Sequence, residues 1–224
     1  MTLHDSAYDI CQAAVAILRE EQVLDREAVL TGVKHVEIDG ATVERQANKV
    51  ERACNRAFDR VRHHVIDSFA WSFLKREVNA ISLGLIDGRY RTEYPGEAEV
   101  KILGCFGPDG HRVQWSVYHR EYIVSDEPIA RIVYMDDDPD VENYPSLVRN
   151  AIIYSLASAI AIEVTGRAAD AQMAEAESRT LIQQARTDDA RQSGTGTDAY
   201  GRNYLFDVAT GRIRAKHLGG RAQW

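Results

Sequence analysis

Two groups of side chains in this sequence have the types and spacing that could support chemistry. The first is a run of five carboxylates between Asp136 and Glu142, dense enough in oxygen ligands to bind Mg²⁺ or Ca²⁺. The run lacks the glycine and the closing glutamate of a calcium loop, and it directly precedes Pro145, a residue suited to a first helical turn. Carboxylates at the start of a helix face the positive end of its dipole. We therefore favour a role in starting that helix, with a metal-dependent hydrolase built on Asp136–Asp140 as the alternative.

The second group is the pair His63 and His64, which lies among arginines on a predicted helix. Neighbouring helix positions point about 100° apart, so the two imidazoles cannot easily share a ligand, and we favour a solvated helix surface. The basic residues alternate with carboxylates and lack interleaved aromatic residues. That pattern favours a salt-bridged face or a subunit contact over nucleic-acid binding. We assign the subunit contact to Arg52, Arg56 and Arg60.

Catalytic motifs are absent from the sequence. It contains no GxGxxG or GxxxxGK[ST] phosphate loop, no HExxH and no GxSxG. The three cysteines, Cys11, Cys54 and Cys105, are far apart and have no histidine at ligand spacing, so we interpret them as small buried hydrophobic residues. We expect a protein that is not an enzyme and that needs no cofactor or metal.

The charge and the apolar stretches restrict the class of partner. A net charge of −7 argues against a general affinity for the phosphate backbone, although a nucleic-acid-binding regulator is a further alternative. The N-terminus has neither a basic nor an apolar segment of a secretion signal. The longest apolar stretch, Ala151–Val164, is interrupted by polar residues and is too short for a membrane span. We expect no membrane partner.

Two amphipathic helices are predicted in the first 70 residues. Apolar residues at three- and four-residue steps from Tyr8 to Leu18 predict the first, and a loop is expected to follow through Asp39-Gly40. The second is predicted to begin near Thr42 as its N-cap and to carry an apolar stripe from Val43 to Phe69. The residues predicted on its opposite, solvated face are Glu44, Arg45, Lys49, Glu51, Arg52, Arg56, Asp59, Arg60 and Arg62.

Residues rich in Val, Ile, Tyr and Trp predict strands after residue 70. Glu99–Phe106 and Arg112–Tyr118 flank the turn Pro108-Asp109-Gly110 and are typical of a β-hairpin. Two further short strands are predicted over Glu121–Ser125 and Ile129–Met135. We interpret these segments as one small antiparallel sheet inserted between helices.

Helical patterns return after the carboxylate run. One helix is predicted from Pro145 to Gly166, apolar on most faces and rich in Ala and Ser, which lets a neighbouring helix approach closely. Another is predicted from Ala168 to about Arg191. It is mostly polar and has only Met173, Leu181, Ile182 and scattered alanines to bury, so it lies on the surface or is completed by a partner.

The last segment, 193–224, is rich in glycine yet carries aromatic and basic residues that a merely flexible tail is expected to lack. We interpret it as an arm that orders on a partner; a tail folded back on its own domain is the alternative. The predicted fold class is therefore α+β: a mainly helical bundle with an inserted small antiparallel sheet and an extended C-terminal arm. The predicted domains are a helical domain over 1–70 and 140–192, a sheet subdomain over 71–139 and the arm.

Three segments together resemble the head-to-tail adaptors of podoviruses, the group that includes tail tubular protein A. In that family an arginine-rich helix ends in Trp-x-Phe and enters a strand with Lys or Arg, and Trp71, Phe73, Lys75 and Arg76 occupy those places here. The first segment reads ACNRAFDRVRHHVIDSFAWSFLKREVNAIS. The second and third read YPGEAEVKILGCFGPDG and YIVSDEPIARIVYMDDDPDVENYPSLVRNAIIYSLASAIAIEVTG.

The resemblance implies a structural virion protein at the head–tail junction, assembled in the host cytoplasm. It would form a twelve-membered ring with other copies of itself on the portal protein and offer a platform to a downstream tail or nozzle protein. DNA would pass through its channel without specific binding. Another virion connector, such as a head-completion or tail-terminator protein, is the alternative within this class. By the same analogy we assign portal binding to Tyr200, Tyr204, Leu205, Phe206, Arg212, Ile213, Arg214, Lys216, Leu218 and Trp224.

Overall fold

The computed structural model has an α+β fold, as predicted, and it divides into two units. The first unit is mainly helical and combines residues 1–65 with 142–224, whereas the second is built of antiparallel strands and comprises residues 66–141. The predicted C-terminal arm lies outside the described part of the chain. The described residues are 6–20, 22–38, 41–95, 101–119, 121–138 and 140–193.

The chain begins with two helices, of which only the first was predicted. Helix α1 spans Ala7–Ile17 and helix α2 spans Arg26–Thr31. The carboxylate of Asp25 accepts a hydrogen bond from the Ala28 amide at 3.0 Å, which is the N-cap contact of α2. The helix ends at Gly32 with a φ of 81°, a conformation that glycine adopts without strain. The prediction of a loop in this segment is therefore wrong.

A β-hairpin occupies the place where the second long helix was predicted to begin. Strand β1 (Val33–Ile38) pairs antiparallel with strand β2 (Ala41–Gln46), with Val36 opposite Val43. Thr42 is consequently a strand residue and not an N-cap, and Glu44 and Arg45 lie on a strand as well. The intervening Asp39-Gly40 is a sequence signature of a two-residue hairpin turn.

The long helix α3 spans Lys49–Asp67 and starts at a different cap from the predicted one. The Asn48 side chain accepts from the Glu51 amide at 2.9 Å, and the Glu51 carboxylate accepts from the Asn48 amide at 2.7 Å. This reciprocal pair has the geometry of a capping box, which satisfies two amides at the first turn. Asn48 therefore sets the start of α3.

Two charged residues of α3 are buried, contrary to the prediction of a wholly solvated face. Glu51 is 2% exposed, and besides closing the capping box it accepts a hydrogen bond from the Asp25 amide at 3.0 Å. Arg62 is 4% exposed and donates to the hydroxyl of Tyr144 at 3.3 Å. Both are buried because groups distant in the sequence supply their polar partners.

Helices α4 (Ser146–Thr165) and α5 (Ala168–Ser193) confirm the two helices predicted at the C-terminal side. Gly166 ends α4 with a φ of 69°. By length and composition α4 could span a membrane, which differs from the sequence prediction. Its residues Ile152, Leu156 and Ile160 are buried, and the helix lies against α1 and α5. It is therefore the core helix of the first unit.

Mostly small residues of α5 are buried where this helix packs on α4. Ala174, Ser178, Leu181 and Ala185 of α5 are buried at steps of four, three and four, the spacing of a coiled-coil seam. The hydroxyl of Ser178 lies 2.5 Å from that of Ser155, so the two backbones approach closely. Met173, predicted to be buried, is 57% exposed because it lies outside this seam.

The second unit contains two four-stranded antiparallel sheets, not the single sheet that was predicted. The strand orders are β3-β10-β6-β7 and β4-β5-β9-β8. A 3₁₀ turn over Ser72–Leu74 precedes the first strand, and another lies beyond the last strand at Val141–Asn143. The strands are β3 (Lys75–Asn79), β4 (Ser82–Ile86), β5 (Arg89–Glu93), β6 (Lys101–Phe106), β7 (Arg112–Val113), β8 (Trp115–Tyr118), β9 (Tyr122–Ser125) and β10 (Arg131–Met135).

The predicted hairpin around Pro108-Asp109-Gly110 is confirmed only for the residues next to the turn. Phe106 pairs with Arg112 across the turn, whereas Trp115–Tyr118 leaves this sheet and pairs with β9. The strand therefore divides at residue 114 and serves both sheets. The apolar core of the unit comprises Cys105, Val113, Ile123, Ile129 and Ile132.

Candidate functional site

The three arginines assigned to a subunit contact lie four residues apart on one exposed face of α3. Helix geometry stacks such positions on adjacent turns. Arg52 donates to the side-chain oxygen of Gln46 at 3.0 Å. Arg56 holds both carboxylate oxygens of Glu163 on α4, at 2.8 and 2.9 Å. Arg52 and Arg56 therefore each have a side-chain partner within the chain, and the subunit contact stays a prediction.

Arg60 borders a cavity of about 350 Å³ between α3, α4 and α5. Two of the serine hydroxyls that line the cavity are engaged locally, since Ser155 and Ser178 contact each other and Ser178 also donates to the Ala151 carbonyl at 3.2 Å. Arg179 is paired with Glu175 on the same helix. The cavity is lined by Arg60, Val61, His64, Ser155, Ser158, Ala159, Glu175, Ser178, Arg179 and Ile182.

The two adjacent histidines have different surroundings, as their helical spacing predicted. His64 is exposed and borders the cavity, whereas the ring of His63 lies 3.0 Å from the guanidinium of the buried Arg62. The pair does not converge on one ligand position. The prediction of a solvated surface therefore describes His64 better than His63, which is half-buried.

Two residues of the carboxylate run have polar partners nearby. Asp136 forms an ion pair with Arg76, 3.6 Å apart, and the Asp138 carboxylate accepts from the Asp140 amide at 2.9 Å. The first turn of α4 contains no acidic residue, because the 3₁₀ turn intervenes. Within the described residues no group of three His, Cys, Asp or Glu side chains is placed to hold a metal ion. Asp136 and Asp138 thus have local structural contacts.

All three cysteines are buried and none forms a disulfide. A hydrogen bond between the thiols of Cys11 and Cys54, together with burial, raises the pKa of Cys11 well above its usual value. Burial raises the pKa of Cys105 to about 12. Raised thiol pKa values disfavour the reactive thiolate, so these residues act as small core side chains in agreement with the sequence interpretation.

An aromatic cluster lies at the start of the β unit, between α3 and β3 in chain order. The rings of Phe69 and Trp71 meet edge to face with centroids 5.1 Å apart, and Phe73 lies 6.1 Å from Trp71. Trp71 is almost fully buried. Arg76 on β3 donates to the Phe73 carbonyl at 3.2 Å. Trp71, Phe73 and Arg76 thus lie close together around the 3₁₀ turn that precedes β3.

The sequence prediction includes no residue of the two outer strands of the second sheet among its site residues. Every residue of β4 is exposed, including Leu83, Leu85 and Ile86. Residues 81–86 are uncharged and mostly apolar and precede the hairpin dipeptide Asp87-Gly88, which is typical of a strand. Only the order of strands places this strand at the edge of the sheet.

The residues assigned to portal binding lie outside the described part of the chain, so their assignment stays a prediction. They are Tyr200, Tyr204, Leu205, Phe206, Arg212, Ile213, Arg214, Lys216, Leu218 and Trp224.

No protein-family model matches the chain, and no curated protein matches it significantly. Function is therefore inferred from the residues and their geometry. The features that bear on it are the arginine row of α3, the aromatic cluster at 69–73 and the exposed edges of the second sheet.

Proposed function

We propose that this chain is a structural head-to-tail adaptor of a tailed bacteriophage. Copies of it would form a ring below the portal protein, extend the DNA channel and give the next tail component a platform. Such a function depends on surfaces that bind other proteins and requires no catalytic side chain. The partners are the portal, other copies of the chain and a downstream tail or nozzle protein.

The junction between α3 and β3 is the observation that carries the proposal. The resemblance rests on an arginine-bearing helix, an aromatic pair and a basic strand start in that order. In this chain α3 exposes Arg52, Arg56 and Arg60, the chain then forms the aromatic cluster, and β3 begins with Lys75. We take this order of elements as support for the proposal.

The order of the units also supports an adaptor. A helical unit built from both ends of the chain is interrupted by one β unit, so each copy has two separate regions that can contact different neighbours. A net charge of −7 suits a channel protein, because an acidic wall lets the DNA duplex slide instead of holding its phosphates.

Co-sedimentation with purified portal rings tests the proposal. The portal should come from the genome that encodes this chain, and the chain should be added in excess at physiological salt. We expect the chain to move with the portal at about one copy per portal subunit, and to stay near the top of the gradient without it. A chain that never moves with the portal, at low or physiological salt, contradicts the proposal.

A further inference from the structure

The second sheet of the β unit has two outer strands without a charged residue. In the order β4-β5-β9-β8, the strands β4 (sequence SLGLI) and β8 (sequence WSVY) are the ends. Leu83 and Leu85 of β4 are 51% and 58% exposed, and Tyr118 of β8 is 50% exposed. Of the residues that the structure describes, none forms a strand beyond either end. An uncharged, apolar outer strand is a template for pairing with another chain.

The first sheet of the same unit shows the usual protection against such pairing. Its outer strand β3 carries Lys75, Arg76 and Glu77, and its other outer strand, β7, is two residues long and contains Arg112. Charges and short length are the common devices that keep the edge of a sheet from aggregating. Of the sheet edges that the structure describes in this unit, those of the second sheet carry no charged residue, so they lack this protection against pairing with another chain.

The apolar layer of the unit extends to both ends of this sheet. Leu85, Tyr90, Ser125 and Trp115 lie in one row across its four strands. Trp115 packs against the core cluster, and Val117 lies two residues further along the same face of β8. Because Leu85 and Val117 are exposed at opposite ends of this core-facing layer, a strand added at either end would continue the core.

Strand direction permits the two ends to join each other. All neighbours in the sheet are antiparallel, so β4 and β8 run in opposite directions. A second copy related by a rotation about an axis along the strands would therefore place its β4 antiparallel to β8 of the first copy. A bulge between Ser82 and Gly84 interrupts β4, but Gly84–Ile86 pairs regularly with β5 and leaves three residues to extend the ladder.

We propose that β4 of one copy pairs with β8 of the next copy, so that the second sheet continues from subunit to subunit. The contact is head to tail, because the two surfaces differ, and such contacts generate closed rings when the rotation between copies closes. The inference deepens the proposed function by naming the strands that join the ring, and it rests on that function only for the ring's place in the virion.

Two single substitutions in the full-length chain test the pairing. Leu85→Glu damages the β4 surface and Val117→Glu damages the β8 surface, while Val78→Glu on the charged strand β3 is the matched control. Analytical ultracentrifugation from micromolar to about millimolar concentration measures association. We expect wild type and Val78→Glu to form species of three or more copies. Each test variant alone should associate on the order of 100-fold more weakly, because the contact would bury an unpaired carboxylate.

Mixing the two test variants separates head-to-tail pairing from the alternatives. Each variant keeps one intact surface, so the equimolar mixture should form a dimer of twice the 25.1 kDa monomer mass and nothing larger. A mixture that stays monomeric overturns the proposal. It is also overturned if Val117→Glu alone forms a dimer, which would indicate symmetric β4–β4 pairing, or if the wild type stays monomeric throughout.

These experiments measure association of the chain with itself and do not involve the portal. Far-UV circular dichroism checks that the variants are folded, and the mixture tests this as well, since only folded chains with one intact edge can form the dimer. If the chain pairs through β4 and β8 but never binds the portal, the proposed function fails and the pairing stands. If both variants still form complete rings on the portal, the pairing fails and the proposed function stands.

Discussion

The carboxylate of Glu51 ties together the starts of two helices, and its removal gives a quantitative test of the first unit. Its oxygens accept from the Asn48 amide at 2.7 Å and the Asp25 amide at 3.0 Å, and its own amide is bonded to Asn48 at 2.9 Å. Glu51→Ala removes both acceptors from a site where the side chain is almost fully buried. We expect the variant to fold with a lower free energy of unfolding.

The size of the loss follows from these contacts. Loss of a helix cap costs about 1 kcal/mol. A partly buried amide left without its acceptor costs roughly 1–3 kcal/mol. The sum for Glu51→Ala is therefore about 3 kcal/mol, a large share of the ~5–15 kcal/mol that stabilises a typical domain. Glu51→Gln keeps one acceptor oxygen and should lose roughly half as much.

Urea unfolding followed by far-UV circular dichroism measures this loss of unfolding free energy. With a slope of about 2–3 kcal/mol per molar urea, Glu51→Ala should lower the midpoint by roughly 1 M. Glu177→Ala is the matched control, because Glu177 is an exposed helical glutamate and its replacement should change stability by less than about 0.5 kcal/mol. If Glu51→Ala unfolds at the same urea concentration as this control, the proposed double cap is wrong.

Three further outcomes are predicted. The Glu27 carboxylate lies 2.6 Å from the His35 ring and raises the pKa of His35. The contact therefore stabilises the fold below pH ~6.5, and this stabilisation is lost as pH rises through the folded-state pKa of His35. An NMR titration should show that Glu27→Gln lowers the pKa of His35, and an unchanged pKa contradicts this. Calorimetric titration with Mg²⁺, Ca²⁺ and Mn²⁺ should show no tight site at Asp136–Asp140, because Asp136 and Asp138 have other contacts; saturable binding at micromolar metal would favour the hydrolase alternative. Deletion of residues 193–224 should weaken portal binding at least tenfold in the co-sedimentation assay, and an unchanged affinity would show that the arm does not bind the portal.

The helices with local start and stop signals could be predicted from the sequence. Pro145 and Gly166 bound α4 because each residue acts through its own backbone: proline lacks an amide, and glycine adopts a positive φ. The start of α3 was predicted wrongly because Thr42 and Asn48 are both good N-cap residues. Only the pairing of β1 with β2 decides between them, and that pairing depends on contacts beyond the local pattern.

Burial of charged residues could not be predicted, because the partners lie elsewhere in the chain. Glu51 receives a hydrogen bond from Asp25, 26 residues away, and Arg62 donates to Tyr144, 82 residues away. Helical spacing alone places both residues with the solvated arginines.

The exposed outer strands could not be predicted, because their position at the edge depends on the order of strands in the sheet. Nothing in the segment Ser82–Ile86 shows whether it lies at the centre or the edge of a sheet, since a buried central strand is also apolar and uncharged. The topology places it at the end, and only then does its composition indicate a surface for another chain.

Electron microscopy of the portal mixed with the full-length chain tests the adaptor proposal most directly. We predict an additional ring of density below the portal, with the symmetry of the portal and a continuous central channel. Within each subunit, the helical and β units described above should fit that density. Portal particles without an added ring, or with the chain bound at scattered positions, would contradict the proposal.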